Sequence, residues 1–290
     1  MDNPITKDMG RAILAQELIC TRRLRFEYQR KQRDPVVALN GIDLTVHAGE
    51  FLVIIGPNGS GKSTLLKHFN ALLVPTSGDI LVDRLSTAEE RNHWYIRQRC
   101  GMVFENPDNQ IVASTVEEDV AFGLENLGIP AVEIRRRVKE ALAMVGMEKF
   151  SQHAPHLLSG GQKQCVAIAG ILAMRPVCLL LDEPTAMLDP CGKKEVSRIV
   201  KKINREEKIT VIWATHFMEE AVTADRVVVL SEGRIAMEGS PQEIFANPEE
   251  LHALKLEGPP IAELVWQLRT EGMALPPGIL TVDELVSVLC

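Results

Sequence analysis

The 290-residue sequence has no paired cysteines, no long apolar run and no surplus of positive charge. Each absence excludes a class. The six cysteines (Cys20, Cys100, Cys165, Cys178, Cys191 and Cys290) are scattered, without a C-x-x-C spacing. That argues against a zinc site or a disulfide framework and fits a reducing cytosol. No stretch reaches the ~18 apolar residues of a membrane span. The longest candidate, Cys165 to Met174, reads instead as a buried helix. Met1 to Gly10 carries Asp2 and Asp8 and no apolar core, so no signal peptide is expected. The net charge of −7 argues against a duplex nucleic-acid partner, which usually meets a basic face. Internal repeats and low-complexity tracts are also missing. The expectation is a soluble protein that needs a partner for any membrane role.

What is present is the composition of a packed chain, 46% hydrophobic and 24% charged. The length allows one large α/β core with a small appendage, or two modest domains. One stretch organises the rest: Gly56-Pro57-Asn58-Gly59-Ser60-Gly61-Lys62-Ser63-Thr64. It follows the apolar run Phe51 to Ile55, which reads as a buried strand. It precedes Leu65, Leu66 and Phe69, spaced for the buried face of a helix. Strand, glycine-rich turn and helix are the context in which G-x-x-x-x-G-K-[ST] binds phosphate. The glycines let successive N–H groups converge on an anion, and the helix adds its positive end. Lys62 is expected to reach the β- and γ-phosphates, and the Ser63 hydroxyl to sit on Mg²⁺.

Before this loop, Leu24 to Tyr28 alternates like a strand, Gln29 to Pro35 reads as a polar basic loop, and Ala38-Leu39 and Ile42 to Val46 resume strands. After it come the turn Pro75 to Gly78 and two short strands, Asp79 to Val82 and Gly101 to Phe104. The second strand ends in the polar loop Glu105 to Gln110. A mostly helical region follows to about Leu158, with Val132, Ile134, Val138, Leu142 and Val145 tracing one face and Arg135, Arg136, Arg137 and Lys139 the solvated side. Val177 to Leu181 is uninterruptedly apolar, as a central parallel strand covered on both faces should be. Val196, Ile199, Val200 and Ile203 mark a crossover helix, and Thr210 to Trp213 and Val227 to Leu230 two more strands. From about Ser240 the chain breaks into short amphipathic pieces. Ile261, Leu264, Val265 and Leu268 line one of them, and Thr281 to Glu284 resembles a capping box. The pattern predicts a largely parallel sheet wrapped by helices, with a helical insert.

Leu181-Asp182-Glu183 puts two carboxylates at the C-terminal end of a strand, the edge where open α/β sheets bind ligands. Asp182 is expected to hold Mg²⁺, directly or through water. Glu183 is expected to take a proton from the water attacking the γ-phosphate. Leu158-Ser159-Gly160-Gly161-Gln162-Lys163-Gln164 alone is only a Ser-capped helix start.

Together with the phosphate loop and Leu181-Asp182-Glu183-Pro184-Thr185, however, this stretch resembles the ATP-binding-cassette (ABC) ATPases over about residues 18–240. The resemblance implies a P-loop α/β fold with a mainly parallel core sheet, an antiparallel β edge region, a helical insert at about 106–165 and a C-terminal helical accessory domain at 241–290, preceded by an extension at 1–17. It implies ATP and Mg²⁺ as ligands. Gly56 through Thr64 would hold the phosphates and Tyr28 would stack on adenine. His216 would contact the γ-phosphate, and Asp189, in Ala186-Met187-Leu188-Asp189, would link two active sites across a dimer. Two chains would pair head to tail, Ser159, Gly160, Gly161 and Gln162 of one facing the γ-phosphate on the other. Hydrolysis would then open the dimer and move whatever is attached.

One position departs from the family. Glu105 stands where a Gln usually ligates Mg²⁺ and senses the attacking water, and Gln110 is expected to be too far away to replace it. Glu105 is therefore expected to keep metal contact with altered hydrolysis. Asn106 to Gln110 and Val116 to Gly123 resemble the ATPases of energy-coupling-factor transporters, prokaryotic importers of vitamins and metals. That branch implies a second ATPase subunit (a paralogue or the same chain), a transmembrane coupling protein and a substrate-binding membrane protein. The chain would sit peripherally on the cytoplasmic face of the cell membrane. Asp108, Glu117, Glu118 and Asp119 form an acidic neighbourhood suited to partner arginines. The alternative is a cobalt or nickel importer ATPase. A soluble repair or translation ATPase fits less well, because Lys62 to Ser159 is too short for a coiled coil and there is one cassette only.

Overall fold

A computed structural model of the chain describes residues 16–30 and 33–289. Most of the expected N-terminal extension, and Cys290, lie outside the described residues. The strands β1 (Glu17–Arg30) and β2 (Arg33–His47) pair antiparallel, with several register shifts along their length. Strand β3 (Phe51–Ile55) leads through the glycine-rich turn into helix α1 (Lys62–Phe69). Next come β4 (Ser77–Val82), β5 (Leu85–Ser86), α2 (Glu90–Arg99) and β6 (Cys100–Val103). Three helices follow, α3 (Val116–Asn126), α4 (Ala131–Met144) and α5 (Gly160–Ala173). The chain returns to the sheet through β7 (Cys178–Asp182), α6 (Pro190–Glu207), β8 (Thr210–Thr215), α7 (Met218–Ala221), β9 (Arg226–Ser231) and β10 (Arg234–Gly239).

Two sheets result. The antiparallel one has the order β2-β1-β4-β5, and the other runs β10-β9-β3-β8-β7-β6, parallel except for β10. The mainly parallel core and the antiparallel edge region are as the sequence led us to expect. Successive residues of each central strand serve opposite faces. Val53, Ile55, Leu179, Leu181, Val211 and Trp213 join a core with α3 to α6. Leu52, Ile54, Leu180, Ile212 and Ala214 join a second core with α1, Ile96 and the antiparallel sheet. Burial on both faces is why these strands read as unbroken apolar runs. Each fully buried Leu or Ile contributes about 1.5–3 kcal/mol.

Several local expectations change. The stretch Gln29 to Pro35 is not a free loop: β1 runs to Arg30 and β2 resumes at Arg33, with residues 31–32 outside the described set. As the outer strand of its sheet, β2 tolerates polar side chains. On α4, Val138 and Leu142 are buried, as is Val145 just beyond it, and Ile134 packs against the core, but Val132 is 74% exposed. A side chain at Gly101 would displace Ile171 on α5, since a Cβ there would lie 2.0 Å from Ile171 Cγ2.

The remaining helices are α8 (Pro241–Phe245), α9 (Pro248–Ala253), α10 (Pro260–Thr270) and α11 (Val282–Leu289). The expected capping box opens α11: the Thr281 hydroxyl accepts from Glu284 N at 3.3 Å, and Thr281 N donates to Glu284 Oε2 at 3.0 Å. Ile244, Phe245, Leu251, Leu256, Ala262 and Leu280 are part of the large core, whereas Val265, Leu275, Ile279 and Leu285 form a small core of their own. Leu264 faces outward, 40% exposed. No helix among the described residues is long and apolar enough to cross a membrane.

Candidate functional site

The site assembles where β3, β7 and β8 end side by side. The strand pairings set Ile55 against Thr215 and Asp182 against Ala214, so the loops leaving the three strands emerge together. From β3, the turn at Gly61 has φ +108°, and a Cβ there would meet the Ala38 carbonyl oxygen at 2.6 Å. Only glycine passes both tests. The turn curls around Lys62, which is buried, its Nζ donating to Gly56 O at 2.8 Å and lying 3.5 Å from Glu183 Oε1. The Ser63 hydroxyl donates to Asp182 Oδ1 at 2.7 Å. Glu183 Oε2 is 2.7 Å from His216 Nδ1. Tyr28 reaches in from β1, its hydroxyl 3.2 Å from Thr64 Oγ1 and its ring 39% exposed.

Ser63 with Asp182, and Lys62 with Glu183 and His216, thus form two contact sets side by side, joined through the chain neighbours Lys62-Ser63 and Asp182-Glu183. Burial pushes the Asp182 carboxyl above its ordinary range and the Glu183 charge adds to the effect, while the Ser63 hydroxyl, Lys67 and Lys62 pull it back. A buried acid raised by desolvation is relieved by a cation. The Ser63 hydroxyl and Asp182 carboxylate are hard oxygen donors beside a phosphate cradle, a set that fits Mg²⁺. Glu183 itself has φ +48°, rare for a residue with a side chain. The turn is pinned where Glu183 N donates to Ala214 O at 2.9 Å.

The sequence pattern of the ABC transporter family matches residues 39–186. The energy-coupling factor transporter ATP-binding protein EcfA1 of Symbiobacterium thermophilum is 60% identical over 269 residues, covering 91% of this chain and 94% of that protein. Its namesake in Clostridium novyi is 52% identical over 275 residues, covering 95% and 98%. The chain belongs to this family of ABC ATPases. Among solved structures, cbiO1 of Clostridium perfringens, part of the ABC transporter complex cbiONQ, superposes with a TM-score of 0.74 at 40% identity, covering 86% of this chain and 98% of that one. The ATP-binding cassette MJ0796, solved as a dimer in a post-hydrolysis state with ADP and phosphate, gives 0.70 at 33% identity over 77% and 99%. As an energy-coupling factor ATPase, the chain binds ATP and hydrolyses it to drive transport, in association with membrane components.

The second motif of the ABC ATPase stands apart from the first. Ser159 caps α5: its hydroxyl accepts from Gln162 N at 3.3 Å and its own N–H donates to Gln162 Oε1 at 2.9 Å. Gly160 is exposed, and Gly161 packs so closely on α6 that a Cβ would lie 3.0 Å from Gly192 Cα. No hydrogen bond or ion pair joins Ser159 to Gln162 with the phosphate loop among the described residues. Asp189 is likewise separate. It caps α6, accepting from Gly192 N at 3.3 Å. Glu105 is exposed and has no ion pair among the described residues. Gln110 is committed elsewhere, its amide bonded to Phe104 N and O at 3.0 Å and to Asn106 O at 3.1 Å.

The acidic neighbourhood is less free than its sequence suggests. Asp108 pairs with Lys163 at 2.6 Å, Glu118 completes a capping box with Thr115, and Asp119 Oδ1 accepts from Val112 N and Ala113 N at 2.8 and 3.1 Å. Of these four acids, Glu117 alone makes no such bond with its carboxylate among the described residues. Sequence reasoning also missed Glu220, which bonds to Trp213 and Thr185 next to the site. Thr185 is 35 residues away and Trp213 seven, and no local pattern announces either contact.

Proposed function

We propose that this chain powers uptake of a vitamin or metal ion as one of two ATPase subunits beneath a transmembrane coupling protein, which a small substrate-binding membrane protein serves. The chain sits peripherally on the cytoplasmic face. Two copies, or this chain and a paralogue, close head to tail on two ATP molecules. The phosphate loop of one and Ser159 to Gln162 of the other flank each γ-phosphate, with Asp189 joining the two sites. Tyr28 stacks on adenine. Lys62 leaves Gly56 O and Glu183 to neutralise the β- and γ-phosphates. Ser63, Asp182 and Glu105 would hold Mg²⁺, which would neutralise charge on the phosphates when bound. Glu183 accepts the proton of the attacking water, and His216 orients Glu183 and contacts the γ-phosphate.

The observation that carries this reading is the pair of neighbouring contact sets at three adjacent strand ends, Ser63 with Asp182 and Lys62 with Glu183 and His216. It supports a site in which the phosphate loop, the Asp182 carboxylate and the Glu183–His216 pair act together. The exposed cap at Ser159 supports the head-to-tail arrangement, because its helix N-terminus is open to a second molecule. The test is affinity purification from native membranes in mild detergent, with mass spectrometry. Co-purification of a membrane coupling protein and a second cassette is the expected outcome, and the accompanying small membrane proteins would name the substrates. Soluble partners alone would overturn the importer assignment.

A further inference from the structure

We infer that Glu220 is a positioning residue that holds Glu183 and His216 in register. It sits on the four-residue helix α7, outside every motif described above. Its carboxylate bridges two segments. Oε2 accepts the indole N–H of Trp213 at 3.0 Å, and Oε1 accepts the hydroxyl of Thr185. Trp213 is three residues before His216 on β8, and Thr185 is two residues after Glu183 on the loop leaving β7. Both donors are sealed from solvent, Thr185 at 0% and Trp213 at 1% exposure. Without Glu220, both would be buried and unpaired.

The two segments have few other ties at this point. Glu183 N donates to Ala214 O at 2.9 Å, and the His216 ring meets Glu183 Oε2 at 2.7 Å. Glu183 sits at φ +48°, a conformation that persists only where the surroundings enforce it. Thr185 is part of that enforcement, since Ala186 N and Leu188 N bond back to Glu183 O and Thr185 O at 3.1 Å. On the other side, Phe217 N donates to Thr215 Oγ1 at 3.0 Å and shapes the turn that carries His216. Glu220 is the side chain that couples these two turns, so it sets the Glu183–His216 contact through both. Among the described residues it makes no hydrogen bond or ion pair with Glu183 or His216 themselves.

This inference rests on the reading of Glu183 and His216 as the groups acting at the γ-phosphate, and the experiment separates the two. ATP hydrolysis is measured for the full-length chain in its transporter complex. Glu220→Ala should lower kcat about tenfold to hundredfold, with KM for ATP within about twofold, because orientation and not nucleotide binding is lost. Glu220→Gln should recover to within about threefold. Its carbonyl can accept from Trp213, and its amide can donate to the Thr185 oxygen, which accepts as well as donates. Thr185→Val, nearly isosteric, should lose part of the rate, and adding it to Glu220→Ala should cost little more. It carries the test by itself if Glu220→Ala does not fold. Wild-type kcat in Glu220→Ala and Thr185→Val, with Glu183→Gln inactive, would overturn the positioning role alone. An active Glu183→Gln would overturn the reading beneath it. A Glu220→Gln as damaged as Glu220→Ala would also refute the bridge, since charge and not hydrogen bonding would then matter.

Discussion

Gly61→Ala is the sharpest probe of the phosphate loop, because backbone and packing oppose it independently. The φ of +108° lies where L-residues rarely sit, at a cost of about 1–3 kcal/mol. The new Cβ would also meet Ala38 O at 2.6 Å and Leu39 Cδ2 at 3.0 Å. The first is backbone and cannot swing aside, so relief requires the loop to shift, costing about 1–3 kcal/mol more. The sum, about 2–6 kcal/mol, is a sizeable share of the 5–15 kcal/mol that roughly holds a domain together. Gly59→Ala is the internal control. Its φ is +82°, but a Cβ there meets nothing within 4 Å, so only the backbone cost applies. Thermal melts without nucleotide should show Gly61→Ala well below Gly59→Ala, by roughly 2–9 °C at about 2–3 °C per kcal/mol. ATP titration should show binding lost in Gly61→Ala even where the melt still shows a folded protein. Equal melting temperatures for the two variants would refute the steric half of the reasoning. Wild-type ATP affinity in Gly61→Ala would refute the claim that this backbone shape forms the cradle.

Asp182→Asn tests the electrostatics. Burial raises the Asp182 pKa, so the folded state holds this proton more tightly than the unfolded chain does. Stability is therefore lost as pH rises through the raised value, and the nucleotide-free wild type carries a penalty at neutral pH. Asp182→Asn should melt higher than wild type at pH 7 and lose that advantage on acidification toward the ordinary aspartate range, while hydrolysis falls. A lower melting temperature at pH 7 would reverse the sign of the argument. Glu105→Gln should leave the melting temperature within about 1–2 °C, since Glu105 is exposed and has no ion pair among the described residues, yet change the ATPase rate and Mg²⁺ dependence. An unchanged rate and Mg²⁺ dependence would sink its role in metal contact. A double-mutant cycle on Asp108 and Lys163 should return about 0–1 kcal/mol of coupling to stability, because Asp108 is 65% exposed.

The parts of the fold legible in sequence are those where one physical demand acts on neighbouring residues. A central strand must be apolar on both faces, and Val53 to Ile55 and Leu179 to Leu181 obey. A phosphate cradle needs glycines and a lysine at fixed spacing. Helix α6 shows its inward face as Val196, Ile199, Val200 and Ile203, all buried. Where the demand is weak, the sequence is mute. Helix α2 buries only Ile96 in a run of polar residues, so no apolar stripe announces it. Strand β2 lies at a sheet edge and resembles a loop where it is charged.

The acidic stretch before and within α3 carries the contrast further, because its composition invites a docking surface and its structure assigns most of the charge to local work. Glu118 and Asp119 satisfy N–H groups at and just before a helix start, where carboxylates stabilise by about 0.5–2 kcal/mol. Reversing the charge of all three residues from Glu117 to Asp119 would remove the cap along with any partner contact, and lost coupling would then say nothing about docking. Glu117→Lys alone separates the two. It should leave the melting temperature within about 1–2 °C and ATP binding intact, while weakening the link between hydrolysis and transport in reconstituted membranes. Asp119→Asn supplies the counterpart: it should lower the melting temperature, because its oxygen accepts two backbone N–H groups. If Glu117→Lys transports as wild type does, the acidic face is structural in full, and partner recognition must lie elsewhere on the cassette.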